Sequence, residues 1–361
     1  MKFGRSWGRL GMKYEWKECT IADLGEVVGG ATPSTKKPEN YENGDISWIT
    51  PKDLSTFNGR FITRGERNIT EIGLNSCSTR LLPLNSVLFS SRAPIGYVAI
   101  AAKEMCTNQG FKSVIPNSDT DYMFLYYLLK FNKGNIENMG SGTTFKEVSG
   151  NTMKSIKVYI PVDIEEQRKI ASILSALDDK IELNNRINEN LESQAQAFFT
   201  DLFITNAKPE WKTGTVSDLG DVVGGGTPSK KVEEYYTNDG IAWITPKDLS
   251  NDKSKFITHG ETDITDLGLA KSSSTLMPRG SVLFSSRAPI GYIAIADGQV
   301  STNQGFKSIV PFDNVGTAYV YYFLKENLSA IENVASGSTF KEVSGGTMKN
   351  FPAIIPDADT L

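Results

Sequence analysis

The chain carries the same long segment twice, at a fixed offset of 195 residues. Residues 16–161 align with residues 211–356 without a gap, and about 83 of the 146 aligned positions are identical. The longest shared segments are WITPKDLS at 48–55 and 243–250, VLFSSRAPIGY at 87–97 and 282–292, TNQGFKS at 107–113 and 302–308, and TFKEVSG at 144–150 and 339–345. Because each copy is long enough to bury a core of its own, the repeat predicts two similar domains and not a solenoid.

The composition is typical of a globular chain outside the membrane. Of its 361 residues 39% are hydrophobic, and it contains no apolar run of about 18 residues that would span a bilayer. Residues 1–15 lack the apolar core of a signal peptide and are interpreted as a tail, with a second start site at Met12 as the alternative. These features predict a cytoplasmic protein.

The cysteines and the histidine argue against a metal site. Cys19, Cys77 and Cys106 align with Gly214, Ser272 and Ser301 of the second copy. The only histidine, His259, aligns with Arg64. A disulfide or a metal ligand set needed by the domain would recur in both copies, so we expect no metal and no histidine-dependent nucleophile.

The net charge of −4 is unevenly distributed along the chain. Residues 1–161 contain 20 basic and 15 acidic residues, residues 162–208 contain 5 and 9, and residues 209–361 contain 13 and 18. Non-specific DNA affinity depends on neutralising phosphates. If this acidic chain binds DNA, its basic residues must therefore cluster on one face, or partner chains must supply most of the positive charge.

Within one copy, the pattern predicts a mixed α/β (α+β) domain. Thr20 caps a short helix, and a short strand at 27–28 runs into the turn segment GGATPS. The other predicted strands are 46–50, 86–90, 97–101, 111–115 and 156–160, and the other predicted helices are 69–76, 121–132 and a short one near 146–154. The predicted domains are 16–161 and 209–361.

Between the two copies, residues 162–208 predict one long helix. Residues 164–203 contain neither Gly nor Pro, and at 1.5 Å per residue about 40 residues would extend roughly 60 Å. Apolar residues follow a nearly heptad spacing that Asn184 interrupts; this seam comprises Ile170, Leu174, Leu177, Ile181, Asn184, Ile187, Leu191, Phe198 and Leu202. One apolar seam favours a coiled coil, with Asn184 as a pairing-specificity residue. An ordinary helix packed on the globular domains is the alternative.

The second copy ends where a second long helix would begin, because Leu361 aligns with Glu166. The internal repeat therefore predicts two long helices where the sequence has one. We expect the seam to pair with another chain, either a second copy in a symmetric dimer or a different subunit. A truncated or phase-varied gene product would also explain this end.

Several short motifs occur in the same order in both copies. In the first copy they are GATPS at 30–34, WI at 48–49 before DL at 53–54, APIG at 93–96, TNQG at 107–110, SGTT at 141–144 and IP at 160–161. The second copy has GGTPS and SGST in place of GATPS and SGTT, and EQ at 166–167 and IA at 170–171 follow in the first copy only. With the long helix between the copies, this series resembles the specificity subunit of type I restriction-modification systems. The resemblance covers nearly the whole chain, from about residue 16 to residue 356.

The resemblance implies a non-catalytic subunit. Each domain would read one half of a bipartite double-stranded DNA target through the major groove, and the long helix would set the distance between the half-sites. Two modification subunits would bind S-adenosylmethionine and methylate adenine, and a restriction subunit would supply the motor and the nuclease. This chain itself would carry no cofactor. Because the two domains are so alike, we predict a nearly palindromic target.

Candidate DNA contacts are the basic and amide side chains in loops that both copies share. Arg and Lys read guanine, Asn and Gln read adenine, and hydroxyl groups bind phosphates. The set comprises Lys52, Arg92, Asn108, Gln109, Lys112, Thr143, Thr144 and Lys146, with Lys247, Arg287, Asn303, Gln304, Lys307, Ser338, Thr339 and Lys341 in the second copy. Alternatively these residues hold the fold, and Arg92 is a buried ion-pair partner of Asp53.

Positions that differ between the copies are a second candidate set, with surface drift as the alternative explanation. They cluster at 56–60, 64–68, 75–80 and 102–106. Arg64 opposite His259, and Arg80 opposite Thr275, are the first changes to test.

Two other classes of function remain open from the sequence. A tandem protein-binding scaffold held by its coiled coil would suit the acidic balance. An enzyme is the weakest alternative, because the chain lacks glycine-rich cofactor and phosphate loops. The acidic pairs Asp53 with Glu147 and Asp248 with Glu342 recur, but nothing in their spacing links them.

Overall fold

The chain divides into two units inside its longest helix, between Ile187 and Asn188. The computed structural model describes residues 15–92, 94–142, 146–287, 289–337 and 341–361. The predicted tail therefore lies almost entirely outside the described residues. Each unit is treated below by itself.

The first unit consists of short strands and helices. Its strands are β1 (Trp16–Thr20), β2 (Gly25–Gly29), β3 (Ile46–Ile49), β4 (Phe61–Ile62), β5 (Arg67–Ile69), β6 (Val87–Phe89), β7 (Val98–Ala101), β8 (Cys106–Thr107), β9 (Lys112–Pro116) and β10 (Lys157–Pro161). Its helices are α1 (Ile21–Leu24), α2 (Pro51–Ser55), α3 (Glu71–Asn75), α4 (Tyr122–Phe131), α5 (Lys133–Asn138), α6 (Gly150–Ser155) and the start of α7 (Ile164–Thr200).

The second unit repeats this order. Its strands are β11 (Lys212–Thr215), β12 (Gly220–Gly224), β13 (Tyr236–Thr237), β14 (Ile241–Ile244), β15 (Phe256–Ile257), β16 (Thr262–Ile264), β17 (Val282–Phe284), β18 (Ile293–Ala296), β19 (Val300–Thr302), β20 (Lys307–Pro311) and β21 (Pro352–Ile355). After the end of α7, its helices are α8 (Pro246–Asn251), α9 (Asp266–Ala270), α10 (Thr317–Glu326), α11 (Leu328–Asn333) and α12 (Gly345–Lys349).

Both units form the same mixed sheets. In the first unit a five-stranded sheet has the order β2-β9-β6-β7-β4, a three-stranded sheet has the order β5-β3-β8, and β1 pairs with β10. The pairs β4–β7 and β3–β8 are parallel, and the remaining pairs are antiparallel. The second unit has the same arrangement, with β13 added beside β16. This confirms the predicted mixed α/β fold class.

Two local signals explain where the first helices begin. The carboxylate of Asp23 accepts from the amide of Thr20 at 2.7 Å, which closes the predicted capping box of α1. Thr50 and Asp53 form the same box around Pro51, the first residue of α2. Helix α2 was not predicted, because Pro51 was expected only to end the strand before it.

The core of the first unit lies on both faces of the five-stranded sheet. One cluster joins Val87 and Phe89 of β6 to the apolar face of α4, where Leu125 and Leu129 are fully buried. The other contains Phe111 and lies toward the three-stranded sheet. Phe124, Tyr126 and Tyr127 of α4 belong to the first cluster, whereas Phe131 at the end of this helix is exposed.

The long helix forms as predicted. α7 runs for 37 residues and continues as a π-helical turn over Asp201–Thr205. At its start, the side chain of Gln167 accepts from the amide of Asp121 at 3.0 Å, so the helix is tied to the N-cap of α4.

Candidate nucleic-acid interface

Four segments of the first unit meet at one edge. The amide of Ser91 donates to the carbonyl of Gly110 at 2.7 Å, and the amide of Val148 donates to the carbonyl of Ser91 at 2.8 Å. Pro51 lies so close to Gly110 that a Cβ there would be 2.7 Å from the Pro51 Cγ. These contacts bring together the described segments 50–53, 90–92, 108–112 and 146–148, which we name the loop edge.

The second unit builds the same loop edge from segments 245–248, 285–287, 303–307 and 341–343. The amide of Ser286 donates to the carbonyl of Gly305 at 2.7 Å, and the amide of Val343 donates to the carbonyl of Ser286 at 2.9 Å. The candidate residues therefore cluster in both units wherever the structure describes them. Thr143, Thr144, Ser338 and Thr339 lie outside the described residues.

Lys52 and Lys247 project from the first turns of α2 and α8. The Lys52 ammonium binds Glu66 at 2.8 Å, and the Lys247 ammonium binds Glu261 at 2.5 Å. The hydrogen bond to Glu66 raises the pKa of Lys52. Because all four side chains are exposed, these pairs are weak and the ammonium groups remain accessible to a phosphate.

The two amide residues of each TNQG segment have different roles. The Asn108 Oδ1 accepts from the amide of Gly110 at 2.8 Å, and Asn303 makes the same bond to Gly305. Asn108 therefore shapes the turn. Gln109 is exposed, and its Oε1 accepts from the hydroxyl of Thr32. In the second unit the Gln304 Oε1 accepts from the Thr227 hydroxyl. The glutamine is thus the residue of each pair that is presented outward.

One glutamate in each unit lies between two candidate cations. Glu147 is 3.8 Å from Arg92 and 3.4 Å from Lys112. The expected alternative, an ion pair of Arg92 with Asp53, is wrong, because Asp53 caps α2 and accepts from the amide of Glu66 at 2.7 Å. The lysine side chain is mostly buried and the arginine is partly exposed.

The second unit has the same three residues, with a shorter contact between the glutamate and the arginine. Glu342 is 3.0 Å from Arg287 and 3.5 Å from Lys307. Partial burial acts to raise the pKa of Glu342, but Arg287 and Lys307 outweigh it, so the pKa is lowered. The carboxylate is therefore charged at neutral pH and compensates part of the positive charge of this edge. Lys146 and Lys341, next to these glutamates, are exposed.

The loop edge of the second unit borders a cavity of about 440 Å³. Its lining includes Thr227, Lys230, Trp243, Lys247, Glu261 and Gln304. The indole of Trp243 donates to the carbonyl of Gly226 at 3.0 Å, which holds the ring in the wall. The candidate contact residues Lys247, Asn303 and Gln304 thus line a concave surface.

The partners of the cations could not be recognised from the residue pattern of one copy. Glu66 and Glu261, and Thr32 and Thr227, were not singled out, and Glu147 and Glu342 were considered only as acidic pairs for an enzyme. Each of these residues is identical in the two copies, and this identity is the sequence signal that could have identified them. Among the residues that the structure describes, no cluster of His, Cys, Asp and Glu is arranged to hold a metal ion.

The predicted seam of the long helix is partly buried near the start of the helix and exposed over the rest of its length. Ile170 and Leu174 are half-buried near its start. Six apolar members are 46% to 65% exposed: Leu177, Ile181, Ile187, Leu191, Phe198 and Leu202. Asn184, in the middle, is exposed as well.

The other side of the helix packs on the units. Ala171 is buried in the core of the first unit and Phe199 in that of the second. The alternative of a helix packed on the globular domains therefore applies near both ends, while the seam between them is exposed in this chain. In the described part of the chain, no helix is apolar over a stretch long enough to cross a bilayer.

Duplicated mixed α/β units on a long helix, each with the same basic and amide-rich loop edge, define a class of protein with two recognition domains. The family model described as the type I restriction modification DNA specificity domain matches residues 13–193 and 208–360. The chain belongs to this family, which confirms the resemblance inferred from its motifs.

Known proteins of this kind match most of the chain. The type I restriction enzyme MjaIX specificity subunit of Methanocaldococcus jannaschii is 34% identical over 96% of this chain and 84% of the relative. The type I restriction enzyme HindI specificity subunit of Haemophilus influenzae is 23% identical over 96% of this chain and 91% of the relative. The crystal structure of a type I restriction-modification system S subunit from M. genitalium has the same fold, with a TM-score of 0.54 at 15% identity, over 95% of this chain and 85% of the other. The chain is thus a specificity subunit, and the scaffold alternative has no support.

Proposed function

We propose that each unit reads one half of a bipartite double-stranded DNA target through its loop edge. The observation that carries this proposal is the duplication of the edge, with lysine, arginine and glutamine at the same positions twice. The reading domains are residues 16–161 and 209–361, and residues 162–208 are the spacer. Lys52, Arg92, Gln109, Lys112 and Lys146 and their counterparts supply most contacts, and Asn108 and Asn303 hold the turns.

The target of such a chain is nearly palindromic. The candidate base-reading residues, Arg92 with Gln109 and Arg287 with Gln304, are identical in the two units, so two edges placed on the duplex in opposite directions read similar half-sites. Sequencing of methylated sites in a host that carries the system tests this prediction. Two unrelated half-sites would refute the symmetry while leaving the family assignment intact.

Catalysis belongs to partner subunits in this proposal. The chain works in the cytoplasm and directs two modification subunits, which bind S-adenosylmethionine and methylate adenine, together with a restriction subunit. These partners also supply the positive charge that a chain with a net charge of −4 lacks.

The exposed seam of α7 is the proposed contact with other chains. Its six apolar members, which are exposed in this chain, would be covered either by the same seam of a second copy or by modification subunits. Light scattering of the isolated chain distinguishes these outcomes, because a monodisperse monomer would exclude the dimer.

DNA binding by the purified chain, with and without the modification subunit, tests the function itself. The DNA-recognition function predicts a steep loss of affinity with salt, about 10³- to 10⁵-fold between 50 and 200 mM for six to ten phosphate contacts. A matched variant pair sharpens the test. Gln109→Ala should relax base preference in one half-site, whereas Lys52→Ala should weaken binding to all sequences and reduce the salt dependence by about one ion.

A further inference from the structure

Each unit holds the long helix with the same three aligned positions. These positions, which we name the helix clamp, are Arg60, Tyr127 and Lys130 in the first unit and Lys255, Tyr322 and Lys325 in the second. In each unit the clamp binds acidic side chains of the part of α7 that belongs to that unit. The clamp is distinct from the loop edge, and of its residues only Arg60 fell within a candidate set, the differing positions 56–60.

In the first unit Arg60 is the buried centre of the clamp. Its side chain is only 7% exposed, its Nε donates to Glu182 at 3.0 Å, and a terminal nitrogen donates to Asp179. A second terminal nitrogen donates to the carbonyl of Ser175 at 3.3 Å. The guanidinium thus contacts three successive points over two turns of the helix. Such charge-assisted bonds are short and directional.

The other two clamp positions of the first unit bind the neighbouring carboxylate. The Tyr127 hydroxyl donates to Asp178 at 2.8 Å, and Lys130 lies 3.9 Å from the same carboxylate. Burial and the bond to Asp178 raise the pKa of Tyr127, so the phenol stays protonated and acts as a donor. The three acidic residues that this clamp binds, Asp178, Asp179 and Glu182, lie within five consecutive positions of the helix.

In the second unit all three positions converge on one carboxylate. Glu192 accepts from Lys325 at 2.6 Å, from Lys255 at 2.9 Å and from the Tyr322 hydroxyl at 2.9 Å. Partial burial opposes ionisation, but these three donors lower the pKa of Glu192 to about 2. The Lys255 ammonium also lies 4.5 Å from the Tyr322 ring centroid, which adds a cation–π contact.

These contacts fix how each unit is seated on its helix segment. A shift of one residue along an α-helix moves a side chain by 1.5 Å and turns it by about 100°, which would carry each acidic side chain away from its clamp. A clamp with several directional bonds therefore has one register and one rotation. An apolar contact such as that of Phe199 is less directional and would tolerate more rotation.

We propose that the helix clamp determines which spacer length the chain accepts between its two half-sites. This inference rests on the proposed function. One added base pair displaces a half-site by about 3.4 Å and rotates it by roughly 35°. A unit seated in one register cannot follow that rotation. Arg60 and Lys255 are therefore positioning residues, which act through the orientation of the loop edge and not by touching DNA.

The test uses the full chain assembled with its modification subunit. The duplexes carry its own half-sites, identified by methylation-site sequencing, with the natural spacer or with one or two base pairs added or removed. The variants are Arg60→Met and Lys255→Met, which keep the apolar stem and remove the charge. The matched controls are Arg60→Lys and Lys255→Arg, because the chain itself uses both residues at this aligned position.

The Met variants should accept spacers that differ by one base pair. The ratio of their affinity for the natural spacer to their affinity for the altered spacer should fall by roughly tenfold or more. The base preference within each half-site should stay unchanged. The Lys and Arg controls should keep the natural ratio. Tyr322→Phe, which removes one hydroxyl group, gives a milder change in the same direction and guards against misfolding of the Met variants. Circular dichroism verifies the fold.

An equal loss of affinity for every spacer, with an unchanged ratio, would overturn the proposal, because it would assign the clamp a purely structural role. An unchanged ratio in folded variants of normal affinity would overturn it as well. A wild-type chain without any base preference would instead refute the proposed function, so the two failures are distinguishable.

Discussion

Replacing Phe199 by alanine tests how the long helix is attached to the second unit. The Phe199 ring is 4% exposed, and its centroid lies 5.0 Å from that of Phe203, 5.5 Å from that of Tyr319 and 6.1 Å from that of Tyr322. The adjacent Phe198 is 65% exposed and provides a matched control in the same helical turn.

The two substitutions should differ strongly in their effect on the free energy of unfolding. Removal of a buried phenylalanine costs about 3–5 kcal/mol, because apolar contacts are lost and a cavity remains between rigid rings. Removal of an exposed phenylalanine from a helix changes stability by about 0.5 kcal/mol or less. For a unit of this size, 3 kcal/mol corresponds to a fall in Tm of roughly 6–12 °C.

Thermal unfolding of the full chain, with hydrogen exchange read separately in each unit, measures the difference. Phe199→Ala should speed exchange in α10, while α4 of the first unit serves as the internal reference. Similar stabilities of Phe199→Ala and Phe198→Ala would refute the packing argument. Phe198→Ala should instead weaken assembly with other chains, since Phe198 belongs to the exposed seam.

Three further predictions follow from single contacts. Glu147→Gln with Glu342→Gln should raise non-specific DNA affinity and steepen its salt dependence by about 1 to 2 ions per site in a filter-binding titration, because two cations in each unit lose their internal partner. The pKa of Glu192 is lowered to about 2 in the folded chain, so the ionised carboxylate stabilises the fold fully above its unfolded pKa, near 4.5, and this stabilisation is lost as the pH falls toward 2. In Glu192→Gln, the free energy of unfolding measured by denaturant titration should therefore fall with acid by up to about 3 kcal/mol less than in the wild type. A Cβ on Gly30 would overlap the backbone of the TNQG segment, whereas one on Gly29 would meet no atom within 4 Å, so Gly30→Ala should unfold at clearly lower denaturant concentration than Gly29→Ala.

The sequence predicted the elements whose signals are local. Turn residues separate the strands, and the absence of Gly and Pro over forty positions predicts α7. The five-residue helix α2 was missed because so short a segment shows no helical period. Its capping residues, Thr50 and Asp53, were nevertheless present in both copies.

Pairing between distant side chains could not be predicted in the same way. Arg60 and Glu182 are 122 positions apart, and no periodicity relates them. The heptad pattern identified a seam, but it did not show that Phe199 rather than Phe198 turns toward the second unit. That choice depends on the surface of α10, which only the folded chain provides. For the candidate interface, the repeat gave the residue types, whereas the fold revealed the carboxylate beside each cation.

The loop edge is assembled by main-chain hydrogen bonds, such as those joining Ser91, Gly110 and Val148. Apart from Asn108, which shapes its turn, and Asp53, which caps α2, such a frame does not depend on which side chains project from it. Mutation can therefore exchange the projecting residues without dismantling the frame, and under the proposed function a few such substitutions would give a new target sequence. Because the main chain holds the frame, this edge is a suitable place to introduce other base-contacting side chains, provided that the glycines in its turns are kept.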